Sequence, residues 1–390
     1  PALRASRSGI GELRDGGRSG RSVASAHYGS ALVVLQTAIA LVLLVGGGLL
    51  IKSLSGMKNQ DLGFDPHNVL IVRLTPPATE YPERADTRAF WNGVENRVTE
   101  LPEVVGVGTT HVHPLMGATE VRTVRMVGEE KGRSARLTYL SGGLFDALGF
   151  RVVAGRPIRN TDDEDAPAVA VVNEAFVRRY LGQDVDPLGT LIQLGSDTLP
   201  PVPIVGVIHD VVGADLAQAP GPALYLSISP AAVRTRSLVI RTTGPPGEML
   251  ETIKQAIWSI DPKLPFSQVE TMDELVENNL GGFVIIANLM TVFAFLSLFL
   301  GALGIYGVTA YSTGRRTSEI GIRLAMGAEP RDVVRMVVGQ GGRRTLLGRV
   351  LGLALAFLVT RAMGSFLVGV NPRDPAVYLC VALILAGVSF

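Results

Sequence analysis

The sequence predicts an α-helical membrane bundle of four spans, the last truncated, with a large extracytoplasmic α+β domain inserted between spans 1 and 2. Three observations lead to this prediction. Four apolar runs are separated by one long segment and two shorter ones. Charged residues make up 18% of the 390 residues, against about a quarter in soluble domains, and the mean hydropathy is +0.31. The long segment alternates strand-like and helix-like patterns.

Composition and charge exclude several classes of protein. The chain carries 36 basic and 35 acidic side chains, so its net charge of +1 gives no electrostatic basis for nucleic-acid binding, and we predict no nucleic-acid partner. With 47% hydrophobic residues, the composition is not that of a disordered or collagen-like chain. Cys380 is the one cysteine, so no intrachain disulfide can form. Its place in an apolar run predicts an inert side chain that faces lipid or another helix.

The first span is predicted over residues 31–51. Gln36 and Thr37 are its only polar interruptions, and 21 residues at about 1.5 Å each cross a hydrocarbon layer of about 30 Å. Residues 1–30 hold five arginines against two acidic residues, which predicts a cytoplasmic segment. The chain begins with Pro1 and stops inside an apolar run, so we expect a piece of a longer protein.

Residues 52–282 are predicted to form the extracytoplasmic α+β domain, built as one or two subdomains. Asn173 stands where a helix N-cap belongs, and Trp91 and Trp258 are expected in the core. β-Branched or alternating apolar stretches predict strands, and apolar residues at helical spacing predict helices. The predicted strands are 69–74, 121–127, 135–140, 168–172, 202–212 and 237–242, and the predicted helices are 87–101, 174–181, 248–260 and 272–280.

The remaining apolar runs predict three further spans. Residues 283–311 carry no charge and exceed the length needed to cross a bilayer, which favours a helix that projects beyond it. Residues 346–368 contain Arg349 and Arg361, which we expect to snorkel towards opposite surfaces, because an arginine at the bilayer centre costs at least about 2.5 kcal/mol. An intramembrane charge site at Arg361 is the alternative. Residues 376–390 are too short to span and are interpreted as a truncated fourth helix.

The distribution of arginines predicts the orientation in the membrane. The connection 312–345 holds seven arginines against three acidic residues and is predicted to be cytoplasmic, like the N-terminal segment. The domain at 52–282 and the short turn 369–375 then lie on the outer side.

Sequence motifs give little indication of catalysis. The chain contains no G-x-x-x-x-G-K-[ST], H-E-x-x-H, C-x-x-C or G-x-S-x-G pattern. His111 and His113 would share one face of a strand, which a metal could use, but no third ligand is evident and we predict surface or loop histidines. His209 and Asp210 are predicted to be a polar pair at a strand end, and the acidic run 162–165 to be a solvated loop without the spacing of a calcium loop. The domain is therefore interpreted as a binding or mechanical module.

The connection between the second and third spans is the most informative segment. Glu319 and Arg323 are four residues apart and can pair on a helix, and Gly327 is a natural helix C-cap. Pro330 suits the first turn of a second, amphipathic helix at 331–338. This pattern fits a basic helix that rests on anionic lipid headgroups, and it also fits a docking element for a cytoplasmic protein.

Several strings resemble a known family of permeases. The connection and the end of the preceding span look like the FtsX-like permease domain of MacB-type ABC transporters, and strings in the outer segment are similar to the MacB-type periplasmic core. The opening residues 1–7 resemble the tail that follows the fourth span in this family, which implies the second half of a duplicated permease. The strings that carry the resemblance are 304–311, 315–328, 169–176, 186–189, 204–211 and 371–375.

The resemblance implies a non-catalytic permease subunit of an ABC-type efflux or mechanotransmission system in the bacterial inner membrane. ATP would be hydrolysed by a separate cytoplasmic ATPase, with no cofactor on this chain, and a second permease copy in the same chain or a homodimer would complete the transporter in the lipid bilayer. A membrane receptor or an ATPase-independent scaffold is the alternative. By resemblance, the residues that contact the ATPase are Glu319, Ile320, Gly321, Arg323, Leu324, Gly327 and Ala328.

Overall fold

The structure, a computed structural model, divides into two compact units. One unit is Met57–Gly282, here named the sheet unit, and the other is Pro1–Gly56 with Phe283–Phe390, here named the helix unit. The residues that the structure describes are 18–116, 120–162, 167–182, 185–195, 200–228, 231, 233–314, 321–322, 325–326, 331, 350–359 and 374–388.

Eleven strands and eight helices are named in the described residues. A π-helical turn, Val177–Leu181, directly follows the fourth helix. In chain order the elements are α1 (Arg18–Lys58), β1 (Val69–Leu74), α2 (Arg84–Thr99), β2 (Val104–Thr110), β3 (Glu120–Met126), β4 (Arg133–Leu140), α3 (Leu144–Leu148), β5 (Val152–Gly155), β6 (Ala170–Asn173), α4 (Glu174–Phe176), β7 (Leu191–Leu194), β8 (Val202–Ile208), β9 (Ala223–Ser227), β10 (Arg236–Thr242), α5 (Pro246–Trp258), β11 (Gln268–Thr271), α6 (Met272–Gly314), α7 (Val350–Val359) and α8 (Pro375–Val388).

The first part of the sheet unit, the open lobe, is an antiparallel sheet in the order β11–β1–β10–β2. Helices α2 and α5 bury their apolar faces against it. Every third or fourth residue of α2 is apolar, which places one stripe of the helix on the sheet. The core includes Leu70, Val72, Phe90, Trp91, Val94, Val98, Leu238, Ile240, Ile253 and Ile257.

The second part, the barrel lobe, is closed by its strand pairings. The strands follow the order β4–β3–β7–β8–β6–β9, and β9 returns to pair in parallel with β4. A closed circuit leaves these strands no free edge, which removes a route to aggregation. Its separate apolar core includes Val124, Leu137, Val172, Phe176, Ile192, Ile204 and Leu224.

The two lobes meet where β2 and β4 touch through one residue pair, Thr110 opposite Leu140. Ser141 Oγ accepts a hydrogen bond of 2.8 Å from the amide of Thr109. At Gly108 the chain passes so close to α3 that a Cβ would lie 2.2 Å from the amide nitrogen of Leu144. The joint therefore depends on a residue without a side chain at this position.

Most sequence-based expectations for the sheet unit are confirmed. The strand at 69–74 has the predicted bounds, and the helix predicted at 87–101 is observed as α2. Asn173 caps α4, because its side-chain oxygen accepts a hydrogen bond of 3.0 Å from the amide of Phe176. The strand predicted over 202–212 ends earlier, as β8 does, and the predicted helix 174–181 changes to a π-helical turn after α4.

Among the residues that the structure describes, two helices are long and apolar enough to cross a bilayer, Val34–Lys58 within α1 and Met272–Gly304 within α6. The α6 helix has 43 residues and is about 64 Å long, so the helix predicted at 272–280 and the predicted second span are one continuous helix. The third and fourth predicted spans lie partly outside the described residues. Helix α7 is the described portion of the third span, and helix α8 is the described portion of the fourth. The predicted count of four spans stays a prediction.

Candidate functional site

The predicted ATPase-contacting segment is described only in part. Of the seven residues predicted to make that contact, the structure describes Gly321. The other six lie outside the described residues and stay a prediction: Glu319, Ile320, Arg323, Leu324, Gly327 and Ala328.

The described part of this segment is an exposed apolar helical turn. The amide of Met326 donates a hydrogen bond of 2.9 Å to the carbonyl oxygen of Ile322, as in an α-helix. Ile322 is 60% exposed and Met326 is 80% exposed, and residues four apart lie on the same helix face. A Cβ placed on Gly321 would meet no atom of the described residues within 4 Å. Ile322 and Met326 were not predicted as contact residues, although their spacing of four was visible in the sequence.

Small residues bring the helices of the helix unit together around α1. A Cβ on Gly352 of α7 would lie 2.9 Å from Cα of Ala38, which means that α7 packs directly on the backbone of α1. A Cβ on Gly48 would lie 3.0 Å from a methyl group of Val377 in α8, and one on Gly46 would lie 3.3 Å from the sulfur of Met290 in α6. Close backbone approach of this kind is typical of membrane helices.

An ion pair joins the end of α1 to the start of α8. The ammonium group of Lys52 contacts the carboxylate of Asp374, which also accepts a hydrogen bond of 3.0 Å from the amide of Ala376. The hydrogen bond from Lys52 lowers the pKa of Asp374, so this carboxyl group is ionised at neutral pH. Asp374 thus serves as the N-cap of α8.

The outer surface of α6 is strongly apolar on several sides. Ile285, Phe295 and Phe299 are more than 60% exposed within this chain. Such a surface exceeds what a soluble monomer leaves in contact with water, and it fits contact with lipid or with another membrane helix.

The paired histidines of the sheet unit are located after β2, in a loop, but they are not on the surface. His113 is 4% exposed, and its Nδ1 lies 2.8 Å from the carbonyl oxygen of Pro114. Burial lowers the pKa of both His111 and His113. His111 accepts a hydrogen bond of 3.1 Å at Nδ1 from the amide of Tyr139, so that nitrogen has no lone pair left for a metal. The predicted loop position is therefore confirmed, whereas a surface position is not, because both imidazoles are largely withdrawn from water at the joint between the lobes.

His209 and Asp210 form a polar pair at the end of a strand, as predicted. His209 follows β8, and its Nδ1 lies 2.7 Å from the carboxylate of Glu174. Asp210 accepts hydrogen bonds from the side chain of Asn173 at 2.8 Å and from the amide of Ala175 at 2.7 Å. Asp210 therefore holds the start of α4 and does not orient the imidazole of its neighbour.

The acidic run 162–165 is described at Asp162. Its carboxylate forms a bidentate ion pair with Arg156, at 2.7 and 2.9 Å, and accepts a hydrogen bond from the amide of Arg159. Asp163, Glu164 and Asp165 lie outside the described residues. Within the described ranges, no group of three or more His, Cys, Asp or Glu residues could hold a metal ion.

The predictions for the two tryptophans differ in their outcome. Trp91 is fully buried, as predicted, and its indole N–H donates to the carbonyl oxygen of Arg234 at 3.1 Å. Trp258 is 36% exposed, so its predicted core position was wrong; its ring packs edge-on against Phe266 at the border of the open lobe. Cys380 is exposed on α8, whereas Arg361 lies outside the described residues.

Comparison with known proteins finds similar export proteins and a similar solved structure. Pyoverdine export ATP-binding/permease protein PvdT of Pseudomonas putida is 22% identical over 335 residues, which cover 83% of this chain and 48% of that protein. Macrolide export ATP-binding/permease protein MacB of Aggregatibacter actinomycetemcomitans is 23% identical over 259 residues, covering 63% and 39%. The crystal structure of the periplasmic region of MacB from Actinobacillus actinomycetemcomitans aligns with 57% of this chain and 97% of that chain, at 15% identity and a TM-score of 0.39.

The chain spans about half the length of the curated relatives it matches, or less. Residues 30–260 match the family described as MacB-like periplasmic core domain, and residues 291–390 match the family described as FtsX-like permease C-terminal. Since the first match alone covers more than half of the 390 residues, the chain belongs to the MacB/FtsX-like permease family.

Proposed function

We propose that this chain is the permease subunit of an ABC-type exporter that conveys motion from a cytoplasmic ATPase to its extracytoplasmic sheet unit. The relatives named above are export proteins whose names include both an ATP-binding and a permease part. This chain contains no G-x-x-x-x-G-K-[ST] phosphate-binding loop, so in this proposal a separate polypeptide or domain supplies the ATPase.

The observation that carries the proposal is the exposed turn at Ile322 and Met326. Two exposed apolar side chains on one helix face, next to Gly321, which has no side chain of its own, are suited to entering a cleft on a partner protein. The turn lies in the arginine-rich connection that the sequence assigns to the cytoplasm. In the proposed arrangement, the predicted contacts Glu319 and Arg323 orient the two apolar side chains on the ATPase.

The continuous α6 helix supports the transmission of motion. A rigid helix moves as one body, so a displacement of its proposed cytoplasmic end at Gly314 would also displace Met272, which belongs to the sheet unit. The ion pair between Lys52 and Asp374 supports the proposed topology, since both residues fall on the outer side of the predicted spans.

Co-purification of an ATPase tests the proposal. The tagged full-length protein is purified from its own host in mild detergent, and bound proteins that hydrolyse ATP are identified and quantified. We expect an ABC-type ATPase in the wild-type sample. We expect the paired substitution Ile322→Ser with Met326→Ser to reduce its recovery about tenfold, because burial of two large apolar side chains contributes at least about 1.4 kcal/mol.

A second variant and a matched control separate docking from misfolding. Glu319→Ala with Arg323→Ala is expected to weaken the same association. Arg97→Ala with Glu100→Ala removes an exposed ion pair of 2.9 Å in the sheet unit and should leave recovery unchanged. Full recovery of the ATPase with both connection variants would contradict the docking assignment. A wild-type protein that yields no ATPase would instead favour the receptor or scaffold alternative.

A further inference from the structure

A polar cavity of about 450 Å³ lies at the joint between the open lobe and the barrel lobe, both within the sheet unit. This volume is within the range of about 300–1,000 Å³ that is usual for sites of small molecules. None of the sequence motifs pointed to it, because its walls come from segments far apart in the chain.

One wall is the polar side of α2. Arg88, Asn92, Glu95 and Asn96 recur at the spacing that places residues on one face of a helix. The opposite face of α2 carries the apolar residues of the open-lobe core, so the rotation of the helix about its axis is fixed. The polar face is consequently held towards the cavity.

The other wall belongs to the barrel lobe and is built by Arg159 and Asn160, which follow β5. A Cβ on Gly142 would lie 2.7 Å from the amide nitrogen of Asn160, so the loop rests directly on the chain after β4. Asp162 holds the same loop from behind by accepting the amide of Arg159 at 2.9 Å. The two side chains thus stand on a loop with a defined position.

Basic side chains outnumber acidic ones among the described residues that line the cavity. Three arginines line it, Arg88, Arg159 and Arg236, and Glu95 is the acidic residue among the described lining residues. Arg236 is 4% exposed and its guanidinium lies 5.5 Å from the ring centre of Trp91. Burial lowers the pKa of Arg236 to about 10, so it remains a cation at neutral pH. Glu95 is held by the hydroxyl of Thr109 at 2.5 Å.

We propose that this cavity binds the oxyanion group, a carboxylate or a phosphate, of a small polar molecule on the outer side of the membrane. Arg88 and Arg159 contact the oxyanion from opposite lobes, and Asn92 and Asn160 hydrogen-bond to the remaining polar groups. Guanidinium groups are suited to such ligands because their planar donors match carboxylate and phosphate geometry. A ligand held in this way bridges the two lobes. The inference concerns the sheet unit and does not depend on docking of an ATPase.

Direct binding measurements test this site. The full chain is placed in phosphatidylcholine nanodiscs, and equilibrium dialysis at constant ionic strength follows radiolabelled citrate, inorganic phosphate and neutral sucrose. We expect saturable binding of citrate, of phosphate or of both, and none of sucrose. The stronger of the two anions identifies the oxyanion group. We expect Arg88→Gln with Arg159→Gln to weaken the affinity at least about tenfold, because each lost contact is a charge-assisted hydrogen bond.

The control is Arg97→Gln, which removes one arginine charge from an exposed position of the helix that carries Arg88. It should leave the affinity within about twofold of wild type, because surface charges contribute little. The site is overturned by the absence of saturable anion binding at millimolar concentration, by sucrose binding as tightly as citrate, or by equal losses in the cavity variants and the control. Tryptophan fluorescence of each variant verifies that the sheet unit is folded, since both tryptophans lie in it.

Discussion

Glu95 places a carboxyl group at the joint of the two lobes, and desolvation by burial raises its pKa, against hydrogen bonds from Thr109 and Ser141 that lower it. A carboxyl group whose pKa is higher in the folded than in the unfolded chain binds its proton more tightly when folded. The free energy of unfolding therefore falls as pH rises through the interval between the two pKa values. The cause is local, because burial removes the carboxyl group of Glu95 from most of its contact with water.

The pH dependence of stability gives the first prediction. Glu95→Gln does not titrate, so its free energy of unfolding relative to wild type should increase from about pH 4 to about pH 7. Denaturation of the full chain in detergent, followed by tryptophan fluorescence, measures this difference. Glu100→Gln changes an exposed carboxylate on the same segment and should show much less pH dependence. A constant difference for Glu95→Gln across this range would mean that the environment of Glu95 is not desolvated.

A second residue-scale prediction concerns the close approach of β2 and α3. Gly108→Ala would place a methyl group 2.2 Å from the amide nitrogen of Leu144, and backbone atoms cannot move aside as a flexible side chain can. We expect destabilisation of the sheet unit by at least about 2 kcal/mol. Gly247→Ala introduces the same methyl group where nothing lies within 4 Å and should be neutral or slightly stabilising. Equal unfolding midpoints for the two variants would refute the packing at the joint.

At the scale of elements, helix packing in the helix unit depends on glycines of α1 and α7. Gly352→Ala would bring a methyl group to 2.9 Å from Cα of Ala38 and should separate the two helices. We expect a loss of about 1–3 kcal/mol, measured as a lower melting temperature of the detergent-solubilised protein by size-exclusion chromatography. Gly307→Ala, on α6 with open space around the glycine, is the control and should melt like wild type.

Local patterns predicted some elements well and others poorly. β1 and the N-cap at Asn173 were predictable, because a β-branched run and a capping side chain act within a few residues. β2 was not predicted: its sequence Val-Val-Gly-Val-Gly-Thr-Thr has two glycines that usually weaken a strand, yet here they allow α3 to pack closely. The closure of the barrel through β4 and β9 also has no local signal, because the pairing joins segments far apart in sequence.

The two candidate sites also differ in whether a local sequence pattern indicates them. The connection around Gly321 was recognisable as a continuous string, although most of its predicted contacts lie outside the described residues. The cavity at Arg88 and Arg159 could not be predicted, because it forms only when two lobes meet. A continuous string such as the connection is therefore visible in the sequence, whereas a cavity that tertiary structure assembles leaves no local pattern.

For motion to be transmitted as proposed, the sheet unit and the connection must lie on opposite sides of one membrane. The excess of arginine in residues 1–30 and 312–345 supports this arrangement. The strongly apolar surface of α6, which precedes the connection along the chain, also supports it. In the proposed arrangement, motion generated by an ATPase on one side reaches a domain on the other side through the continuous helix α6.

Cysteine labelling of intact cells tests this requirement most directly. In a Cys380→Ala background, single cysteines replace Glu251, whose side chain is 67% exposed in the sheet unit, and Met326, which is 80% exposed in the connection. With a membrane-impermeant maleimide that reaches only the outer side, we predict labelling at position 251 and none at position 326 until the inner membrane is opened. Labelling of both cysteines in the same step would place the two segments on one side and contradict the proposed transmission of motion.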